Sequence, residues 1–156
     1  VIRTYVEVDG LDATEKIAEC VMKSKFKDSR VIMLDGITFA GFNIVNIKEL
    51  SRATGMGVIA INRKKPNIEE FLKAMKKLPR YKERFKCVEA AGKIYSVKVC
   101  LHNQKGRIFY QKAGLTKKVA EKIIKVSVYT SLFPEPIRVA HLIATGVVLG
   151  VSKSRA

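Results

Sequence analysis

The chain has no CxxC pair, no GxSxG elbow, no P-loop and no dinucleotide fingerprint. Those gaps remove the usual sequence signs of zinc, serine-nucleophile, nucleotide-triphosphate and nicotinamide chemistry. Cys20, Cys87 and Cys100 are odd in number and widely spaced, which argues against a disulfide frame. They read as small core residues in a reducing cytosol. No apolar run approaches the roughly 18 residues needed to span a bilayer. No signal-peptide pattern opens the chain. Histidine occurs only twice, and acidic residues number 14 against 30 Lys and Arg. Acid is the scarce charge.

What is present is a 156-residue chain that is 47% hydrophobic, enough for one globular domain with a substantial core. The net charge of +16 points to a polyanionic partner, with nucleic acid the first candidate. A lysine-rich surface that only keeps the protein soluble is the competing reading. Distribution favours the first. Residues 63–86 hold ten Lys and Arg against three Glu, and residues 105–125 hold seven against one. An anionic membrane surface would want an amphipathic anchor helix, and none is evident.

Ile2–Val8 alternates with period two and predicts a strand. The chain opens in that strand-like run on Val1 rather than on Met, which suggests that residues precede it. Asp12-Ala-Thr-Glu15 resembles a capping box and opens a helix to about Ser24. Arg30-Val-Ile-Met-Leu-Asp-Gly36 then reads as a strand covered on both faces and ended by Asp35. A helix follows over about Ile47–Ala53, ended by Gly55 and Gly57. Val58–Asn62 is a third apolar strand, and Arg63-Lys-Lys-Pro66 leads out of it. Asn67 is placed to cap a helix to about Leu78. Weaker strand signals lie near Ile94–Leu101 and Arg107–Gln111, with their turn at Asn103–Gly106. Helices over Thr116–Val126 and from Pro134–Pro136 to Val148 complete the chain.

A β-α-β-α-β-α first half implies right-handed crossovers and parallel strands, with three strand ends along one edge. In such sheets ligands collect beyond the carboxyl ends of the strands. That edge would gather Asp9, Asp12 and Glu15, then Asp35, then Arg63, Lys64 and Lys65. Carboxylates beside cations suit a hard divalent ion next to a phosphate. Each residue also has a plainer reading. Asp35 could only begin a turn with Gly36, Glu15 could only close a capping box, Asp12 could be the cap itself, and Asp9 a turn residue. His102 reads as solvated in a turn. Arg138 and His141 lie three apart on one helix and can share a face. A histidine amid Val139, Leu142 and Ile143 could equally be a hydrogen-bonded structural residue.

Two segments carry a resemblance, Val31-Ile-Met-Leu-Asp-Gly-Ile-Thr-Phe-Ala-Gly-Phe-Asn43 and Phe133-Pro-Glu-Pro-Ile-Arg-Val-Ala-His-Leu-Ile-Ala144. With Val8–Ile17 and Asn62–Pro66, they resemble an archaeal endonuclease-dU-like family, distantly related to endonuclease V, over nearly the whole chain. The resemblance implies an α/β fold with a ribonuclease-H-like mixed sheet of order 3-2-1-4-5 and helices on both faces. It implies one domain over residues 1–156 that lacks its N-terminal hairpin, where relatives carry a further aspartate. It also implies Mg²⁺ (or Mn²⁺) held by Asp35, Glu15 and the further upstream aspartate, with Asp35, Glu15 and His141 catalytic; Asp12, read to the same sheet edge, is a further candidate metal ligand. Arg63, Lys64, Lys65 and Arg138 would grip nucleic acid. The implied activity is cleavage of a phosphodiester in DNA or RNA near a deaminated base. No Tyr/Pro-rich wedge of the endonuclease V kind precedes Glu15. A nucleic-acid-binding module without catalysis is the rival expectation, and a structural protein with merely solubilising charge is a third.

Overall fold

The computed structural model describes residues 2–25 and 28–151. Helix α1 (Ala13–Met22) precedes strand β1 (Val31–Asp35) and a small hairpin, β2 (Thr38–Phe39) with β3 (Asn43–Ile44). Helix α2 (Ile47–Thr54), strand β4 (Gly57–Asn62) and helices α3 (Ile68–Met75) and α4 (Tyr81–Ala91) follow. Strands β5 (Tyr95–Leu101) and β6 (Gln104–Ala113) form a long hairpin, and helices α5 (Lys117–Ser127) and α6 (Glu135–Leu149) end the fold. This is a mixed α/β fold with no barrel.

The main sheet has the order β1-β4-β6-β5 among the described residues. β1 and β4 are parallel, with Asp35 opposite Ile61, while β6 runs antiparallel to both β4 and β5. Alternation sorts the side chains onto two faces. Ile32, Leu34, Val58 and Ala60 join Ile47 and Leu50 of α2 in one buried cluster. Ile59, Ile61, Val97, Val99, Ile108 and Tyr110 join Ala120 and Ile124 of α5 and Ile137 of α6 in the other. β4 lies between two strands with residues 57–61 all buried, as its unbroken apolar sequence requires.

Residues 2–8 form no strand, which corrects the expectation of a third parallel strand. Of their side chains only Val6 packs against the core, while Tyr5 and Val8 are exposed. Residues 7–12 are tied down differently. Asp9 N–H donates to Ala40 O, and the Asp9 carboxylate accepts from Phe42 N–H. Strand propensity without a partner strand loses to these loop bonds. The hairpin turn sits at His102–Asn103, one residue ahead of the expected Asn103–Gly106, with His102 exposed in a left-handed conformation at φ 51°. Cys100 is exposed, so it is not the core residue expected, while Cys20 and Cys87 are half-buried. Among the described residues no helix is long and apolar enough to cross a membrane.

Candidate functional site

The carboxyl ends of the parallel pair β1 and β4 open on the same edge of the sheet. Asp35 ends β1 with its side chain exposed, and Gly36 turns the chain immediately afterwards at φ +78°. Gly36 N–H donates to Ile61 O at 2.8 Å, which fixes the Asp35 end to the neighbouring strand. A side chain at Gly36 would strain the left-handed backbone and stand 3.3 Å from Asn62 Oδ1. Asn62, Arg63, Lys64 and Lys65, at and beyond the end of β4, line a cleft of about 520 Å³ together with Asp35.

Helix α6 supplies the remaining wall. Ile137 is buried in the core cluster that includes Ile59 and Ile61, and His141 lies four residues further along the same helical stripe. His141 is exposed and lines the cleft together with Asp35, Asn62 and Arg63–Lys65. His141 is thus a solvent-facing residue of the cleft wall and not one enclosed among Val139, Leu142 and Ile143. Arg63 does more than project into solvent: its guanidinium carbon stands 4.2 Å from the centroid of the buried Phe133 ring. That stacking orients a planar cation at the cleft's edge.

Three expected members lie elsewhere. Arg138 forms a two-bond ion pair with Glu135, donating from Nε at 2.9 Å and from Nη2, and does not line the cleft. Asp12 flanks α1 without capping it, and Asn43 Oδ1 accepts from Ala13 N–H instead. The Asp12 carboxylate accepts from Asn43 Nδ2 at 2.6 Å and Glu7 N–H at 3.2 Å. Chiefly the Asn43 bond holds Asp12 below the ordinary carboxylate range. Glu15 is exposed in the first turn of α1 and does not line the cleft either. The absence of a strand at residues 2–8 removes the edge that would have delivered these two. Asn62 is the cleft residue that sequence reasoning missed as a participant. Its position at the end of an apolar strand was a usable signal.

The cleft thus contains one carboxylate, one carboxamide, one imidazole and three cations. No group of three His, Cys, Asp or Glu placed to hold a metal occurs among the described residues. A magnesium-like ion nonetheless suits such a donor set when substrate phosphate and water complete its shell, because one or two carboxylates are its usual protein anchor.

Comparison with known proteins gives concordant results. The endonuclease dU family matches residues 1–148. A "UPF0215 protein" of Thermococcus sibiricus is 46% identical over 154 residues, 98% of this chain and 76% of the relative. A "UPF0215 protein" of Archaeoglobus fulgidus is 42% identical over 154 residues, 98% of this chain and 81% of the relative. The crystal structure of a protein of unknown function from Archaeoglobus fulgidus superposes with a TM-score of 0.84 at 40% identity. That match covers 94% of this chain and 81% of the other.

Proposed function

This chain belongs to the endonuclease dU family, and we propose that it hydrolyses phosphodiester bonds in nucleic acid at the Asp35 cleft. The observation that carries the reading is the meeting of Asp35, Arg63–Lys65 and His141 beyond the carboxyl ends of a parallel strand pair. Arg63, Lys64 and Lys65 hold the phosphodiester and offset charge that builds on its oxygens. Water adds to phosphorus and releases a proton to solvent as the bond to the leaving oxygen breaks. His141 donates the proton that oxygen needs and is reprotonated from solvent. Asp35 would hold Mg²⁺ or Mn²⁺, with the Asn62 carboxamide as a neighbouring oxygen donor; such an ion would lower the cost of forming hydroxide and offset the phosphate charge. Glu15, Asp12 and Arg138 have no part in this assignment, because they do not line the cleft.

The ribonuclease-H-like reading of the fold belongs to the same proposal. Its support is the parallel β1-α2-β4 unit with a carboxylate at its open end. The family description points to a deoxyuridine-containing substrate, and the three free cysteines suit a cytoplasmic setting. The test is cleavage of uracil-containing and unmodified DNA and RNA by the full-length protein, with Mg²⁺ and with a chelator. Metal-dependent cleavage that Asp35→Ala abolishes, with melting temperature unchanged, is the expected result. Equal cleavage by the variant would overturn the assignment. Salt-sensitive binding without turnover would make the protein the non-catalytic binder instead.

A further inference from the structure

Two further grooves continue the Asp35 cleft along the molecule. Arg63 is a wall of the cleft and also of a groove of about 230 Å³ that includes Arg107 and Leu132. Ser131 and Leu132 are shared in turn with a wider groove of about 840 Å³, bounded by His102 and Gln104 on the hairpin turn and by Tyr129. The three depressions adjoin one another through shared wall residues, Arg63 and then Ser131 and Leu132, in a row that leads from Asp35 past Arg107 to Tyr129. Gly106 lies in the middle groove, and a side chain there would come within 3.2 Å of Leu132.

Resting on the cleavage reading, we infer that this path holds a single-stranded segment of the nucleic-acid substrate, with Tyr129 stacking on an unpaired base. Tyr129 is a large aromatic that is 74% exposed, on a loop that is otherwise well tied down. Val128 bridges Pro134, Ser131 Oγ accepts from Phe133 N–H, and Thr130 Oγ1 donates to Glu135. A fixed loop that leaves its aromatic uncovered is a preorganised platform, and any base offers a ring face to it. The cations along the path, Arg63 and Arg107, suit a phosphate backbone. Glu135, at the start of α6 beside this loop, is engaged by Arg138 and Thr130, so its carboxylate is neutralised within the protein. Stacking needs a base free of its pair. The path therefore selects single strands or a strand peeled from a duplex.

The test separates binding from cleavage by using Asp35→Asn protein in chelator, so it reads the path even where no cleavage occurs. The probes are a fluorescent single-stranded DNA of roughly 16 nucleotides and the blunt duplex of the same sequence. Tyr129→Ala is expected to weaken single-strand binding roughly 5- to 150-fold, while Tyr129→Phe keeps it, since stacking rather than the hydroxyl is at stake. Duplex binding should not change. Arg107→Gln should flatten the logarithmic salt dependence of single-strand binding by about 0.7. A 2-aminopurine base scanned along the strand should be quenched at one position by the Tyr129 protein and not by Tyr129→Ala. Unchanged single-strand affinity in Tyr129→Ala, or equal losses on duplex and single strand, would overturn the inference. If this arm fails while Asp35-dependent cleavage persists, the path alone is wrong; if cleavage fails while stacking persists, the catalytic reading alone is wrong.

Discussion

Arg84 shows how far charge counting can mislead at a single residue. It falls within the basic run of residues 63–86 that pointed to a polyanion, yet it is only 3% exposed. Its guanidinium donates to four carbonyl oxygens, those of Asp9, Gly10, Phe42 and Pro79. The cation therefore joins the N-terminal loop, the β2–β3 hairpin and the start of α4, and it is unavailable to nucleic acid. Arg84→Met would leave four part-buried carbonyls without this donor; a fully buried one would cost about 1–3 kcal/mol, and access to water offsets much of that here. We expect a total loss of about 3 kcal/mol in denaturant unfolding, with Arg84→Lys recovering only part, because an ammonium lacks the planar fork. A variant as stable as the parent would contradict this role. Asp35 is the opposite case. It was legible because an apolar run that ends in Asp-Gly leaves few other places for the carboxylate.

At the scale of elements, some caps were legible, while the capping box expected at Asp12 and the lone strand propensity of residues 2–8 were not borne out. Asn67 accepts from Glu70 N–H and Thr116 from Val119 N–H, at the helix starts their sequences suggested. Helix α4 carries no start signal in the sequence, because Arg80 precedes its first residue in a left-handed conformation without a side-chain cap. Its buried Arg84 also breaks the apolar stripe that would have revealed it. The loop of residues 128–134 carries no motif, so the groove beside Tyr129 had no sequence signal. That loop's anchor is testable by titration. The bonds from Arg138, and then from Thr130, lower the pKa of Glu135 to about 2. Because the folded-state value is depressed, the anchor contributes stability above the ordinary glutamate value of 4.5 and loses it as pH falls through about 2. The carboxyl carbon shift of Glu135 should titrate near pH 2 and move up toward 4.5 in Arg138→Gln. A midpoint already near 4.5 in the parent protein would refute the anchor.

For the whole molecule, the parallel β1–β4 pair sets the site and decides which sequence candidates reach it. Strands ending side by side delivered Asp35 and Arg63–Lys65 to one cleft, as their order in the chain implied. Asp12 and Glu15 were assigned to the same edge through a strand at residues 2–8 that does not form. A period-two pattern records propensity, but a strand also needs a neighbour to pair with. The +16 charge operates at this same scale. Binding to DNA or RNA should weaken steeply as salt rises, and Lys64→Gln with Lys65→Gln should reduce that slope by about 1.4 to 1.8. An unchanged slope would remove these lysines from the interface.

Single-turnover cleavage at saturating protein tests the central claim most directly, because it isolates chemistry from binding. Asp35→Asn keeps the shape of the exposed side chain and should fold and bind as the parent does, yet cut the metal-dependent rate by at least about a hundredfold. Cleavage by Asp35→Asn at the parent rate, with binding intact, would contradict the assignment of the Asp35 cleft as the site of phosphodiester hydrolysis.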